Sequence, residues 1–209
     1  EWAEKNRITL LSDIEEVIAK SDCLIVLSPD NPEMHEELCR LPLQSRKPVY
    51  VDKTFAPDRA CAERIFAHAK AHQTECYSSS ALRFASELSG VEKEGIEKIY
   101  SEGPGTYAMY SIHQIEPIVC LMNCRAKRVM FLGTPDHPSM LIEFADGRLA
   151  QMYQTPNSPF RLTLEEKGGK SDVVEINSDY FRLFLKALIA FFETGEIPVP
   201  HSQTVDVIA

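Results

Sequence analysis

Two phosphate-binding signatures are missing from this chain of 209 residues. It contains neither a G-x-G-x-x-G turn nor a P-loop, so it offers no glycine-rich backbone cradle for a dinucleotide or a nucleoside triphosphate. The Gly103-Pro104-Gly105 loop is too short to serve and lacks a preceding strand–helix context. No apolar run approaches the length of a membrane span, and the most apolar late stretch, Phe181 to Phe192, is broken by Arg182 and Lys186. A secretory leader pattern, internal repeats and low-complexity segments are also missing. Positive charge is in deficit: 22 Lys and Arg stand against 31 Asp and Glu, a net charge of −9. Such a surface repels a phosphate backbone, so nucleic acid is not expected as a partner, and the lack of a spanning run sets a membrane aside. Ser78-Ser79-Ser80 has no adjacent base and no flanking elbow glycines, which sets serine-hydrolase chemistry aside.

What is present describes a globular chain with a core. Apolar residues make up 44% and charged residues 25%. The six cysteines (Cys23, Cys39, Cys61, Cys76, Cys120 and Cys124) mostly lie inside apolar patterns, and a chain of this size needs no stapling. They read as reduced thiols and hence as a cytoplasmic protein; a secreted protein with three bridges is the alternative. The sequence starts at Glu1 rather than methionine, in what reads as mid-domain, so a fragment of a longer chain is expected.

The first 80 residues alternate helix and strand. Ser12-Asp13-Ile14-Glu15 reads as a capping box, followed by an apolar stripe of Ile14, Val17 and Ile18. Cys23 to Leu27 is a continuous apolar run of the kind that forms a strand covered on both faces. Asn31-Pro32 opens a helix whose inner face is expected at Met34, Leu38 and Leu41. Pro48 to Val51 is the next strand; Pro57 starts a helix with Cys61, Ile65 and Ala69 aligned, and Thr74 to Ser78 forms a further strand. The pattern predicts a parallel sheet with crossover helices, the open α/β class. Ligands in such sheets bind beyond the carboxyl ends of the strands, here at Ser28-Pro29-Asp30-Asn31 and Asp52-Lys53-Thr54.

From about Leu82 the pattern changes. Glu97 to Ser101 reads as a strand and Thr106 to Asn123 as a helix that Pro117 either kinks or restarts. Five strands are then expected: 128–132, 139–144, 148–154, 160–166 and 172–176. Asp146-Gly147 and Gly168-Gly169 supply hairpin turns. Ser178-Asp179 caps a last long helix with Phe181, Phe184, Leu185, Leu188 and Phe192 on its core face and Gly195 at its end. Two units follow from this: an α/β unit over residues 1–80 and an α+β unit with an open antiparallel sheet over 81–209.

Few residues stand out chemically. Lys53, at a strand end, is either a loop lysine paired with Asp52 or a cation beside a reacting oxygen. His113 and Glu116 share a helix face at i, i+3, so Glu116 could hold His113 in one tautomer; the alternative is a satisfied core histidine. His68, His72 and Cys76 repeat at i, i+4, as do His35 and Cys39, but neither set completes a ligand shell, and no metal is expected.

The stretch Asp22 to Ala69, with Ser28-Pro29, His35 and Asp52-Lys53-Thr54, resembles the second part of the nucleotide-binding domain of the glucose–fructose oxidoreductase/inositol dehydrogenase (Gfo/Idh/MocA) family, in which the second strand ends in Glu-Lys-Pro. "MYSIHQIEPIVCLMN" resembles the family helix that carries an active-site histidine, here His113, and "IPVPHSQTVDVIA" its closing segment. The resemblance implies a partial Rossmann-like dinucleotide-binding domain, NAD or NADP as cofactor, and hydride transfer to or from a sugar, polyol or related carbonyl. It implies that Lys53 and His113 are catalytic. Ser28, Pro29, Asp30, His35, Asp52 and Lys53 would border the cofactor, and Arg83, His113 and Glu116 the substrate. A homodimer or homotetramer through the antiparallel sheet is implied as well. Three departures stand beside it: the glycine-rich turn is missing, Asp52 and Thr54 replace Glu and Pro, and Met109 stands where many members carry Asp one turn before the histidine. They motivate a second reading, a catalytically silent member that binds, regulates or scaffolds.

Overall fold

The computed structural model describes residues 1–28 and 30–209. In chain order the elements are α1 (Trp2–Lys5), α2 (Ile14–Lys20), β1 (Leu24–Val26), α3 (His35–Leu38), β2 (Val49–Val51), α4 (Arg59–Ala71), β3 (Cys76–Tyr77), α5 (Ser86–Ser89) and β4 (Ile96–Gly103). There follow α6 (Tyr107–Met122), β5 (Ala126–Thr134), β6 (His137–Phe144), β7 (Leu149–Gln154), β8 (Arg161–Glu166), β9 (Ser171–Glu175), α7 (Tyr180–Thr194) and α8 (His201–Ile208). Short 3-10 turns at Pro32–Met34, Pro42–Gln44 and Ala81–Phe84 complete the described path.

β1, β2 and β3 form the expected parallel sheet, in that order. Alternation along β2 assigns its faces. Val49 and Val51, with Cys76 of β3, pack with Cys61, Ile65 and Ala69 of α4. Tyr50 and Tyr77 turn the other way, against Phe184, Leu188 and Phe191 of α7. β2 is therefore buried on both faces, whereas Cys23 to Leu27, the run expected to be covered on both faces, leaves Ile25 and Leu27 exposed because β1 has a neighbour on one side only among the described residues. α4 begins at Asp58, whose carboxylate accepts from Cys61 N–H at 2.8 Å.

The second sheet has six strands in the order β5-β6-β7-β4-β8-β9. It is mixed rather than wholly antiparallel, because β4 pairs with β7 in parallel and with β8 antiparallel. The reason lies in the connection: α6 carries the chain from β4 to the far edge, and two hairpins return it to β4's side running in the same direction. One face packs under α6 through Ile99, Ile142, Met152, Leu162 and Leu164. The other face has no covering layer among the described residues.

Chain order and packing part company at the C-terminus. α8 leaves the second sheet's region and packs on α4 and α6. Val205 joins the core of the parallel sheet, Arg59 pairs with Asp206 at 3.0 Å, and the His201 ring stacks on Phe66 at 3.9 Å.

Local expectations need four corrections. The α2 cap is one residue along: Asp13 accepts from Glu16 N–H at 2.8 Å, and Glu16 reaches back to Ser12 N–H at 3.0 Å. A carboxylate at the helix N-terminus is the better acceptor there. In α3 the inward side chains are His35 and Cys39, while Met34 and Leu38 are exposed, because the helix is preceded by a 3-10 turn that rotates the face. Pro117 leaves α6 as one continuous helix. In α7 the buried residues are Phe184, Leu188 and Phe191, with Phe181 and Leu185 exposed.

Candidate functional site

The carboxyl ends of the three parallel strands meet one face of α6. β1 leads to Ser28 and Asp30, β2 to Asp52 and Lys53, and β3 to Ser78, Ser79 and Ser80. Asp30 adopts a left-handed backbone (φ 55°), which Asp tolerates better than most side chains. Its carboxylate stands 3.4 Å from Lys53 Nζ. The Lys53–Thr54 peptide is cis. Pro29, expected at the cofactor edge, lies outside the described residues.

His113 projects from α6 into the same region. Its Nδ1 lies 2.7 Å from Ser80 Oγ, and Ser80 Oγ also accepts from Leu82 N–H at 3.2 Å. The hydroxyl is therefore tied to the backbone and holds the ring by one nitrogen, leaving Nε2 for other contacts. Tyr110 and Phe160 set their rings edge-on to the imidazole at 5.4 and 6.1 Å. Burial, reinforced by the Lys53 cation, lowers the His113 pKa from 6.5 to about 4, with Asp30 opposing. The ring is thus neutral at pH 7. Burial raises the Asp52 carboxyl, opposed by hydrogen bonding and charge from Lys53.

Lys53, Asp52 and His113 line a cleft of about 250 Å3. Its remaining wall is largely aromatic. A larger and more open depression of about 780 Å3, around residues 91–97, contains none of these groups.

The other expected residues sit beneath or beside the cleft. Arg83 and Glu116 form an ion pair at 2.7 Å with side chains only 8% and 4% exposed. Glu116 also accepts from Ser79 Oγ at 3.2 Å, and Arg83 donates to Gln203 of α8. Burial pushes the Glu116 carboxyl up and Arg83 pulls it down. The pair expected between Glu116 and His113 is not made; Ser80 is the histidine's partner. His35 is fully buried and its Nδ1 lies 3.0 Å from the Phe55 carbonyl, which makes it the donor; Nε2 has no partner among the described residues. Ser28 is half-buried at the end of β1. Among the described residues no group of His, Cys, Asp and Glu is arranged to hold a metal. His68 and His72 instead point ring nitrogens at the Arg40 and His68 carbonyls.

Sequence reasoning missed Ser80 and the aromatic wall. A triplet of serines directly after a parallel strand was the available signal for Ser80. Tyr110, one turn before His113, was the signal for the wall.

No family model matches the sequence, and no curated protein does. Solved structures match it closely in shape. The UDP-N-acetylglucosamine 3-dehydrogenase GnnA from Acidithiobacillus ferrooxidans superposes with a TM-score of 0.79 at 12% identity, over 99% of this chain and 81% of that one. GenD2 from gentamicin A biosynthesis, solved in complex with NAD, gives 0.77 at 14% identity over 99% and 79%. The dehydrogenase MviM from Clostridium difficile gives 0.76 at 15% identity over 99% and 82%. The fold implied by the resemblance to glucose–fructose oxidoreductase and inositol dehydrogenase, a parallel sheet followed by a second sheet with helices, is the fold observed, shared with these dehydrogenases along almost the whole chain.

Proposed function

We propose that this protein is an NAD(P)-dependent oxidoreductase that moves hydride to or from a small hydroxyl or carbonyl compound. The observation that carries the reading is the convergence of Lys53 and His113, from two different units, on one cleft at the carboxyl edge of a parallel sheet. The fold shared with dehydrogenases supports it.

The residues fit the reactive end of a nicotinamide cofactor and not its pyrophosphate. Asp30, Asp52 and Lys53 offer a charged, partly exposed edge beside His113. No glycine occurs before Gly90, so nothing in the parallel unit lets backbone approach a diphosphate. When bound, the cofactor supplies the hydride acceptor or donor. The protein's part is position, charge and the proton. Lys53 is a fixed cation that stabilises negative charge growing on the substrate oxygen. Neutral His113 presents Nε2 to the same oxygen as base during oxidation, with Ser80 holding the ring's other nitrogen. The aromatic wall keeps water from both groups. Ser28, Pro29 and His35 belong to the cofactor side of this proposal, and Arg83 and Glu116 serve by joining the two units under the cleft.

Met109, 47% exposed one turn before His113, favours the second reading, a silent binding or regulatory protein, because no carboxylate backs the histidine. One experiment decides between them. Nicotinamide reduction is followed with a panel of cyclic and acyclic alcohols for the protein, Lys53→Ala and His113→Ala. Turnover that falls by roughly 100-fold or more in both variants supports the oxidoreductase; turnover that is nil throughout supports the silent protein.

Two further proposals concern its setting. The uncovered face of the six-stranded sheet, with Tyr100, Met130, Tyr153 and Val173 exposed, is proposed to form a homodimer or homotetramer, which light scattering reads directly. The six thiols are unpaired, which supports a reducing, cytoplasmic location. No described helix is long and apolar enough to cross a membrane.

A further inference from the structure

We infer that the cleft selects a ring-shaped alcohol or ketone carrying few oxygens over the same ring carrying many hydroxyls. The inference deepens the oxidoreductase reading and rests on it for the reaction, but not for the binding preference.

Composition of the wall carries it. Six of the twelve lining residues are aromatic: Tyr50, Tyr110, Phe160, Tyr180, Phe181 and Phe184. No Arg, Asn, Gln or Glu is among the twelve, and Lys53 is the one fully charged cation. Part of the polar inventory is already committed. The Tyr50 hydroxyl donates to the Ser79 carbonyl at 3.0 Å, and Ser79 Oγ is within reach of the Ser80 carbonyl and Glu116. What remains for a ligand is concentrated at one end: Lys53, Asp52 and His113 Nε2. Phenol groups of Tyr110 and Tyr180 are the only additions among the lining residues.

A ligand oxygen at that end meets a cation, a base and a carboxylate. Beyond those groups and the Tyr110 and Tyr180 phenols, a hydroxyl lies against apolar and aromatic lining without a partner, at a cost of roughly five- to a hundred-fold in affinity for each one. A pyranose or inositol ring carries several such groups, and polar recognition needs a side-chain partner for each. The cleft's 250 Å3 holds about eight water volumes, enough for one ring with small substituents. Aromatic walls favour flat carbon faces over hydrated ones.

Vicinal cyclohexanediol and myo-inositol are the probes, because they share one ring and differ only in added hydroxyls. Their binding to the full chain is measured by isothermal titration, with and without a nicotinamide cofactor, for the protein and for Phe181→Ala. Phe181 is 57% exposed, so its truncation spares the core. The expected result is at least ten-fold tighter binding of the diol, reduced by Phe181→Ala. Equal or tighter binding of inositol overturns the inference, even if inositol is oxidised and the oxidoreductase reading stands. Binding of neither compound, in either cofactor state, overturns it too. Diol binding without any nicotinamide-dependent turnover supports the inference while defeating the oxidoreductase reading.

Discussion

The parallel sheet and the six-stranded sheet leave different things uncovered. The parallel sheet has three strands of two or three residues, buried between α4 and α7, and what it leaves bare is an edge. Among the described residues β1 pairs only with β2, and beside it Ile25 and Leu27 are 48% and 67% exposed. The six-stranded sheet has strands of five to nine residues and leaves bare a face, patterned with ion pairs such as Lys98–Glu165 and Arg161–Glu102. A bare edge presents unpaired N–H and C=O groups and accepts another strand; a bare face presents side chains and accepts another surface. The proposed site lies with neither liability: it is where the carboxyl ends of the short strands meet α6, with Lys53 following β2 and His113 on α6.

The sharpest way to break the comparison is to cut the join between the two regions. Arg83→Met leaves Glu116 buried without its cation and should cost about 3–5 kcal/mol in urea denaturation. The double variant Arg83→Met, Glu116→Leu should recover most of the loss, since no uncompensated charge then remains. Little loss in the single variant would mean that the regions are not coupled through this pair.

Acidification probes the same junction. His113 has a folded pKa of about 4, below its ordinary 6.5. The native state therefore binds that proton more weakly than the unfolded chain. Its stabilising contribution is complete above pH about 6.5 and is lost as pH falls toward about 4, by about 3 kcal/mol when fully protonated. His113→Asn should lack that part of the acid sensitivity. Lys53→Met removes one cause of the depression, so the imidazole titration followed by NMR should move upward. No movement would place Lys53 too far from His113 to act with it.

Smaller effects separate edge from face. Val173→Lys should weaken the proposed self-association roughly ten-fold by light scattering, and Ile25→Lys should leave it unchanged. The Ile25 change should instead reduce aggregation through the β1 edge. Last, Glu87→Ala removes the carboxylate that accepts from Asn177 N–H, Ser178 N–H and Ser178 Oγ at 2.6–2.9 Å, and should cost about 1 kcal/mol in thermal unfolding.

The architecture was legible where local pattern and tertiary demand agreed. Pro48 to Val51 read as a strand, and Val49 to Val51 is one; Cys23 to Leu27 read as the doubly covered strand, yet Ile25 and Leu27 are exposed. Cys61, Ile65 and Ala69 read as a buried stripe and are buried. The reading failed where a local rule admits two answers. Helical spacing puts Glu116 near His113, but it cannot tell whether a carboxylate turns to a neighbouring ring or to an arginine from another element. Met34 and Leu38 were the more apolar choice for an inner face, yet the 3-10 turn at Pro32 rotated His35 and Cys39 inward instead.

Sequence alone determined the order of most helices and strands, the parallel sense of the first sheet and the strand ends at which the candidate site is placed. Those follow from periodicity, caps and run length, which act over a few residues. The tertiary structure decided the partners: Ser80 for His113, Arg83 for Glu116, α8 for α4, and six aromatic rings from four separate segments around one cleft. Each of those contacts joins residues dozens of positions apart, and no local preference distinguishes the partner that folding selects from the others of the same chemistry.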